Sequence, residues 1–114
     1  MTLARVKELL GCEVLVGEDD LSAEVETVVA SDGMSEILAF ARPGALMVTG
    51  LTNIQSVRTA DIANVRAIVY IRGKRPGDAA IELARRSRIP ILATELGMFD
   101  TCGILREHGL KGGM

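Results

Sequence analysis

Three apolar runs, Ala45-Leu46-Met47-Val48-Thr49, Ala67-Ile68-Val69-Tyr70-Ile71 and Ile91-Leu92-Ala93-Thr94, recur along the chain, and none alternates apolar with polar residues. A strand with one wet face alternates, whereas a strand covered on both faces reads as continuous apolar sequence. Behind each run lies a stretch with helical spacing: Asn53 to about Asn64, Gly77 to about Ser87, and Met98 to His108. Buried strands alternating with helices of this length form βαβ units with right-handed crossovers. The pattern therefore predicts an α/β fold, a small layered sandwich whose mainly parallel sheet is built from repeated βα units.

The N-terminal third is read from its caps and β-branched residues. Thr2 is placed to cap a helix with Leu3, Val6, Leu9 and Leu10 on one face, and Gly11 suits its exit. Glu13 to Val16 reads as a strand, Gly17 to Asp20 as an acidic loop, and Val25 to Ser31 as a strand. A helix from Met34 to Ala41 follows, with Asp32 or Ser35 as its cap, and Arg42-Pro43-Gly44 stops it. At 114 residues the chain has room for one domain, with enough burial for a core that needs no metal or disulfide. The expectation is a single domain over residues 1–108 and a flexible tail over 109–114.

Most chemistry is excluded by what the sequence lacks. His108 is the sole histidine and has no evident carboxylate to orient it, so a Ser–His or Cys–His nucleophile is not expected. Neither GxxxxGK[ST] nor GxGxxG occurs. Enzymatic activity would fall to Asp32, Asp100 or Cys102, and Cys102 fits an apolar helix face with Phe99 and Leu105, which reads as core. Cys12 and Cys102 lack partners at metal-ligand spacing, so no metal or cofactor is expected; the two are read as buried free thiols, with a bridge between them as the alternative. The charged N-terminus does not resemble a signal peptide, and no apolar run approaches the roughly 20 residues of a membrane span. A cytoplasmic protein that makes no membrane contact is expected.

Charge is unevenly distributed. Residues 1–36 carry nine acids against two bases, a net of −7, and residues 37–114 carry eleven bases against six acids, a net of +5. The basic run Arg85-Arg86-Ser87-Arg88 falls at the end of a helix, where positive charge complements the dipole, and has no aromatic residue beside it to stack a base. Nucleic-acid binding is not expected. Halves that complement one another, within one copy or across a homodimer, fit the distribution better.

One geometric signal remains. In parallel sheets ligands bind beyond the carboxyl ends of the strands, near helix N-termini that favour anions. Polar residues collect at those ends, and the candidate ligand-binding set is Asp32, Thr49, Gly50, Asn53, Arg72, Gly73 and Thr94. For Thr49, Asn53 and Thr94 an ordinary cap or turn role is the stronger reading. Arg72 is more informative, because a charged residue ending a buried strand has less structural reason to be there. A small anionic metabolite or nucleotide would suit such a site.

The stretch Ala67 to Pro76, with Ile81-Glu82-Leu83-Ala84 and Ile89-Pro90-Ile91-Leu92-Ala93-Thr94, resembles the DRTGG domain and the related N-terminal domain of HPr kinase/phosphorylase. Val6-Lys7-Glu8-Leu9-Leu10-Gly11, the Ser31-Asp32 corner and Phe99 before Gly103 fit the small stand-alone DRTGG proteins. The family's Gly-Asp-Arg corresponds to Gly50-Leu51-Thr52 and its Thr-Gly-Gly to Arg72-Gly73-Lys74, so one glycine of each group survives. A ligand role tied to the missing Asp and Arg does not carry over. The resemblance implies a regulatory or interaction domain, commonly dimeric. It brings no kinase activity, because the P-loop belongs to the other domain of that kinase. Similar proteins are often encoded beside hydrogenase-type redox subunits, which implies assembly with such a complex as the alternative to ligand sensing.

Overall fold

The computed structural model describes all 114 residues. In chain order the elements are α1 (Leu3–Leu10), β1 (Glu13–Val16), a 3-10 turn (Glu18–Asp20), β2 (Thr27–Ala30), α2 (Met34–Phe40) and β3 (Leu46–Thr49). There follow α3 (Ile54–Ile62), β4 (Ala67–Tyr70), α4 (Asp78–Ser87), β5 (Ile91–Ala93), α5 (Met98–Glu107) and β6 (Lys111–Gly112). Thr2 caps α1 by accepting from the Arg5 amide, and Gly11 ends it in the left-handed region at φ 62°.

The six strands lie in the order β1-β5-β4-β3-β2-β6. β2 through β5 run parallel, β6 joins parallel to β2, and β1 closes the opposite edge antiparallel to β5. The strands β2 to β5 advance in one direction across the sheet, so right-handed crossovers place α2, α3 and α4 on one face. The return from β5 to β6, beyond β2, lays α5 across the other face beside α1. The mainly parallel α/β sandwich read from the apolar runs is therefore the fold.

Two cores follow. Met47, Ile68, Tyr70 and Ile91 meet Ile37, Val57, Ala60, Ala80 and Ala84 on the three-helix face. Leu46, Val48, Val69, Ile71 and Leu92 meet Leu3, Val6, Leu10 and Leu105 on the other. Every residue of β3 and β4 is buried, which is why these segments show no alternation.

The structure corrects three sequence expectations. Residues 109–114 are not a loose tail: Leu110 is buried, Lys111 pairs with Thr27, and the Gly113 amide donates to Val28 O at 2.8 Å. β2 otherwise has a bare edge, and this short segment satisfies it. Neither Asp32 nor Ser35 caps α2; its N-cap is Gly33, with no side-chain bond. Phe99, expected in the core beside Cys102, is 89% exposed, because α5 turns Thr101 and Leu105 inward instead.

Candidate functional site

The register levels the strand ends. Ala30 pairs with Val48, Thr49 with Tyr70, and Tyr70 with Ala93, so the residues after β2, β3, β4 and β5 emerge along one edge of the sheet. At this edge Asp32 crosses from the β2 end to the β3 end. Its Oδ1 accepts from the Thr49 hydroxyl at 2.9 Å and from the Gly50 amide at 2.7 Å. Thr49 Oγ1 in turn accepts from the Leu51 amide at 3.1 Å. The Gly50 amide bond holds the Asp32 carboxyl below its usual range; desolvation opposes this, and the Thr49 hydroxyl and the positive charges of Arg72 and Lys74 reinforce it.

The β4 end supplies those charges from a tight turn. The Lys74 amide donates to Ile71 O at 3.1 Å, and the two central residues, Arg72 and Gly73, have φ of 56° and 67°. Two consecutive positive φ values in a hydrogen-bonded four-residue turn are the signature of type I′, where Asn or Gly is usual and Arg costs about 1–2 kcal/mol. Gly73 is needed for its φ, and the mobile end of the Glu95 side chain lies in the space beside its α-carbon. The turn is tied to the β5 end by Arg72 N to Leu96 O at 2.8 Å and Gly73 N to Thr94 O at 2.9 Å. Its left-handed backbone directs the Arg72 guanidinium across Gly50, so closely that a β-carbon there would lie 2.6 Å from Nη2. The ion pairs of the chain are Arg5–Glu8 and Arg75–Glu13, so Arg72 and Lys74 have no carboxylate within pairing distance.

Asp32, Thr49, Gly50, Arg72 and Gly73 thus converge, with Lys74 added to them. The other two candidates make bonds within the fold. Asn53 caps α3 by accepting from the Ser56 amide at 3.2 Å. Ser56 Oγ donates to Asn53 O, which leaves it to accept from the buried Tyr70 hydroxyl at 2.7 Å. Thr94, 2% exposed, donates to Leu10 O at 2.7 Å and so ties β5 to the end of α1.

The remaining reactive groups lie apart. Both cysteines are free, and burial raises the Cys12 thiol to about 11. His108 is exposed, with Nδ1 2.8 Å from Ile104 O. No group of three or more His, Cys, Asp or Glu side chains is placed to hold a metal ion. No helix is long and apolar enough to cross a membrane.

A cleft of about 390 Å³ opens away from this edge, where the strands begin and α3 and α4 end, with Asp20, Asp61, Asn64, Arg66 and Arg88 among its lining residues. Sequence reading missed it because its residues come from four separated segments. Two helix carboxyl ends point toward it, and Arg66 and Arg88 complement that negative potential.

No curated protein matches the chain. A crystal structure of the CBS and DRTGG domains from the regulatory region of Clostridium perfringens pyrophosphatase, complexed with the activator diadenosine tetraphosphate, superposes with a TM-score of 0.77 at 18% identity. The match covers 91% of this chain and 45% of that one, so the chain spans less than half of its neighbour and shares its fold. The DRTGG domain pattern matches residues 5–108, nearly the whole length. The chain belongs to the DRTGG domain family.

Proposed function

We propose that this DRTGG domain is a regulatory module without catalysis of its own, which acts as a homodimer and senses a small anionic metabolite or nucleotide at the corner formed by Arg72, Lys74 and Asp32. The observation that carries the reading is Arg72. It occupies a left-handed position that favours glycine, exposed and without a carboxylate partner, and lies across a residue with no side chain. Strain of this kind persists where the surroundings fix it and is concentrated at functional sites. Arg72 and Lys74 together suit a phosphate, while Asp32 keeps the Gly50 amide engaged and offers an acceptor to a ligand hydroxyl. The regulatory region containing the similar fold was crystallised with a nucleotide activator, which supports a nucleotide among the candidates.

A thermal-shift series with diadenosine tetraphosphate, ATP, AMP and inorganic phosphate tests it, with Arg72→Ala as control. A ligand at 100 times its dissociation constant adds about 2.7 kcal/mol, or roughly 10 °C for a domain this size. Arg72→Ala is expected to abolish the shift. No shift with any of the four overturns the reading.

The uneven charge favours a second reading, an assembly module for a hydrogenase-type redox complex. Recovery with such subunits from native extract at physiological salt supports that reading, and recovery alone counts against it.

A further inference from the structure

We propose that the cleft at the opposite end of the sheet, between the carboxyl ends of α3 and α4, binds a free amino acid with a small aliphatic side chain, taken up as its zwitterion. This site is separate from the Arg72 corner and does not depend on the reading given for it.

At about 390 Å³ the cleft falls in the lower part of the range of small-molecule sites, about 300–1,000 Å³. Its floor is core. Ala60, Val65 and Ile89 are buried members of the cluster beneath the three-helix layer, and Pro90 beside them is buried too. One wall comes from the acidic segment before β2, because Gly17 packs directly on Pro90. A β-carbon at Gly17 would lie 2.9 Å from Pro90 Cβ, and this contact places Asp20 in the lining.

The ligand class follows from the charges. Arg66, Arg88, Asp20 and Asp61 all line the cleft, and none of them takes part in an ion pair, with each other or with any other residue. Charges of both signs thus stand open to one small space. The backbone adds acceptors but few donors. The amides of Asn64, Val65, Arg66, Arg88 and Ile89 are engaged within the chain, whereas the last carbonyls of α3 and α4 lack intrahelical donors and carry the negative ends of two helix dipoles. A purely anionic ligand would face the aspartates and both helix ends, and a purely cationic one the two guanidiniums. A carboxylate for the arginines joined to an ammonium for the aspartates and helix carbonyls satisfies both, and the apolar floor receives the side chain.

Arg88 is a second, independent observation. It ends α4 in the left-handed region at φ 57°, its amide donating to Ala84 O and Arg85 O. Gly11 ends α1 in the same way at φ 62°, so the backbone task needs no side chain. A guanidinium at a position that favours glycine, and without a carboxylate partner, repeats the pattern of Arg72 at the other end of the sheet.

Nitrogen–proton correlation NMR of the full chain, titrated with L-alanine, L-valine and L-leucine, tests this. Isovalerate and isobutylamine serve as the two halves of valine that carry one charge each. Valine is expected to bind with millimolar or tighter affinity and to shift the amides of Val65, Arg66 and Ile89, with isovalerate and isobutylamine weaker by about tenfold or more. Arg88→Gly keeps the left-handed backbone, so it is expected to resist urea at least as well as wild type while weakening valine about tenfold or more; Asp61→Asn is expected to weaken valine similarly. Arg72→Ala is expected to leave valine binding unchanged, which separates this cleft from the Arg72 corner. No saturable shift with any of the three amino acids at tens of millimolar overturns the proposal. Isovalerate or isobutylamine binding as tightly as valine overturns the zwitterion, and valine binding unchanged in both Arg88→Gly and Asp61→Asn overturns the cleft.

Discussion

The guanidinium of Arg72 lies across Gly50, at a distance that leaves no room for a β-carbon on position 50. Two strand ends are thereby coupled, since Gly50 follows β3 and Arg72 follows β4, and Asp32 from the β2 end holds the Gly50 amide. Gly50→Ala tests that coupling. The obstructing atoms are the mobile end of an arginine, so the fold should yield cheaply, with stability changed by less than about 0.5 kcal/mol. The displaced guanidinium should lose the ligand response. Thermal unfolding with and without phosphate compounds measures both; an unchanged response would show that the guanidinium's place over Gly50 is incidental.

Arg72→Gly should separate stability from function. The left-handed position costs an arginine about 1–2 kcal/mol, and glycine returns about 0.5–1 kcal/mol of that as chain entropy. Urea unfolding should find the variant more stable by about 0.5–1 kcal/mol while its ligand response disappears. A destabilised variant would mean that the side chain itself supports the fold.

Thr94→Val should behave in the opposite sense. The substitution keeps the shape but deprives the buried Leu10 carbonyl of its donor at 2.7 Å and the Leu96 amide of its acceptor. A loss of about 1–3 kcal/mol is expected, with ligand response retained. Chemical denaturation compared with the thermal-shift series reads the two effects separately.

Asp32 sets a pH signature. Its folded-state pKa is depressed by the Gly50 amide foremost. A carboxyl depressed on folding adds stability that is fully present above its unfolded pKa, about 3.9, and is lost as pH falls through the lower folded value. The difference in stability between wild type and Asp32→Asn should be constant above about pH 5 and shrink on further acidification. Because Asp32 is largely exposed, the lost part should stay below about 1 kcal/mol after solvent screening. Denaturant titrations from pH 7 to 2 follow it, and a difference that grows toward low pH would contradict the assignment.

Leu110→Ala examines the C-terminal segment. Leu110 is 4% exposed and packs with the core of the α1–α5 face. Truncating a buried leucine costs about 2–5 kcal/mol. A stability unchanged in urea would return residues 109–114 to the status of a tail.

The helices and parallel strands were legible because their signals are local. Non-alternating runs mark strands covered on both faces, and Thr2 and Asn53 cap the helices they precede. Local signals failed where a residue had two possible employers. Asp32 has the chemistry of an N-cap but is drawn to Thr49 and Gly50, which lie 17 and 18 positions away. Thr94 looks like a ligand contact until Leu10, 84 positions earlier, is seen to take its hydroxyl proton. β6 is too short to announce itself and exists because β2 has an edge to satisfy.

By itself, then, the sequence determined the alternation of buried strand and helix, the family, and the level of the sheet edge at which polar residues emerge. These depend on periodicity and capping, which act within a few residues. Only the tertiary structure decided which of those residues meet and which edges β1 and β6 occupy. It also decided that Arg72 takes a left-handed turn across Gly50 while Phe99 faces outward. Each of these depends on hydrogen bonds or packing between segments far apart in the chain, whose partners exist only once the sheet has assembled.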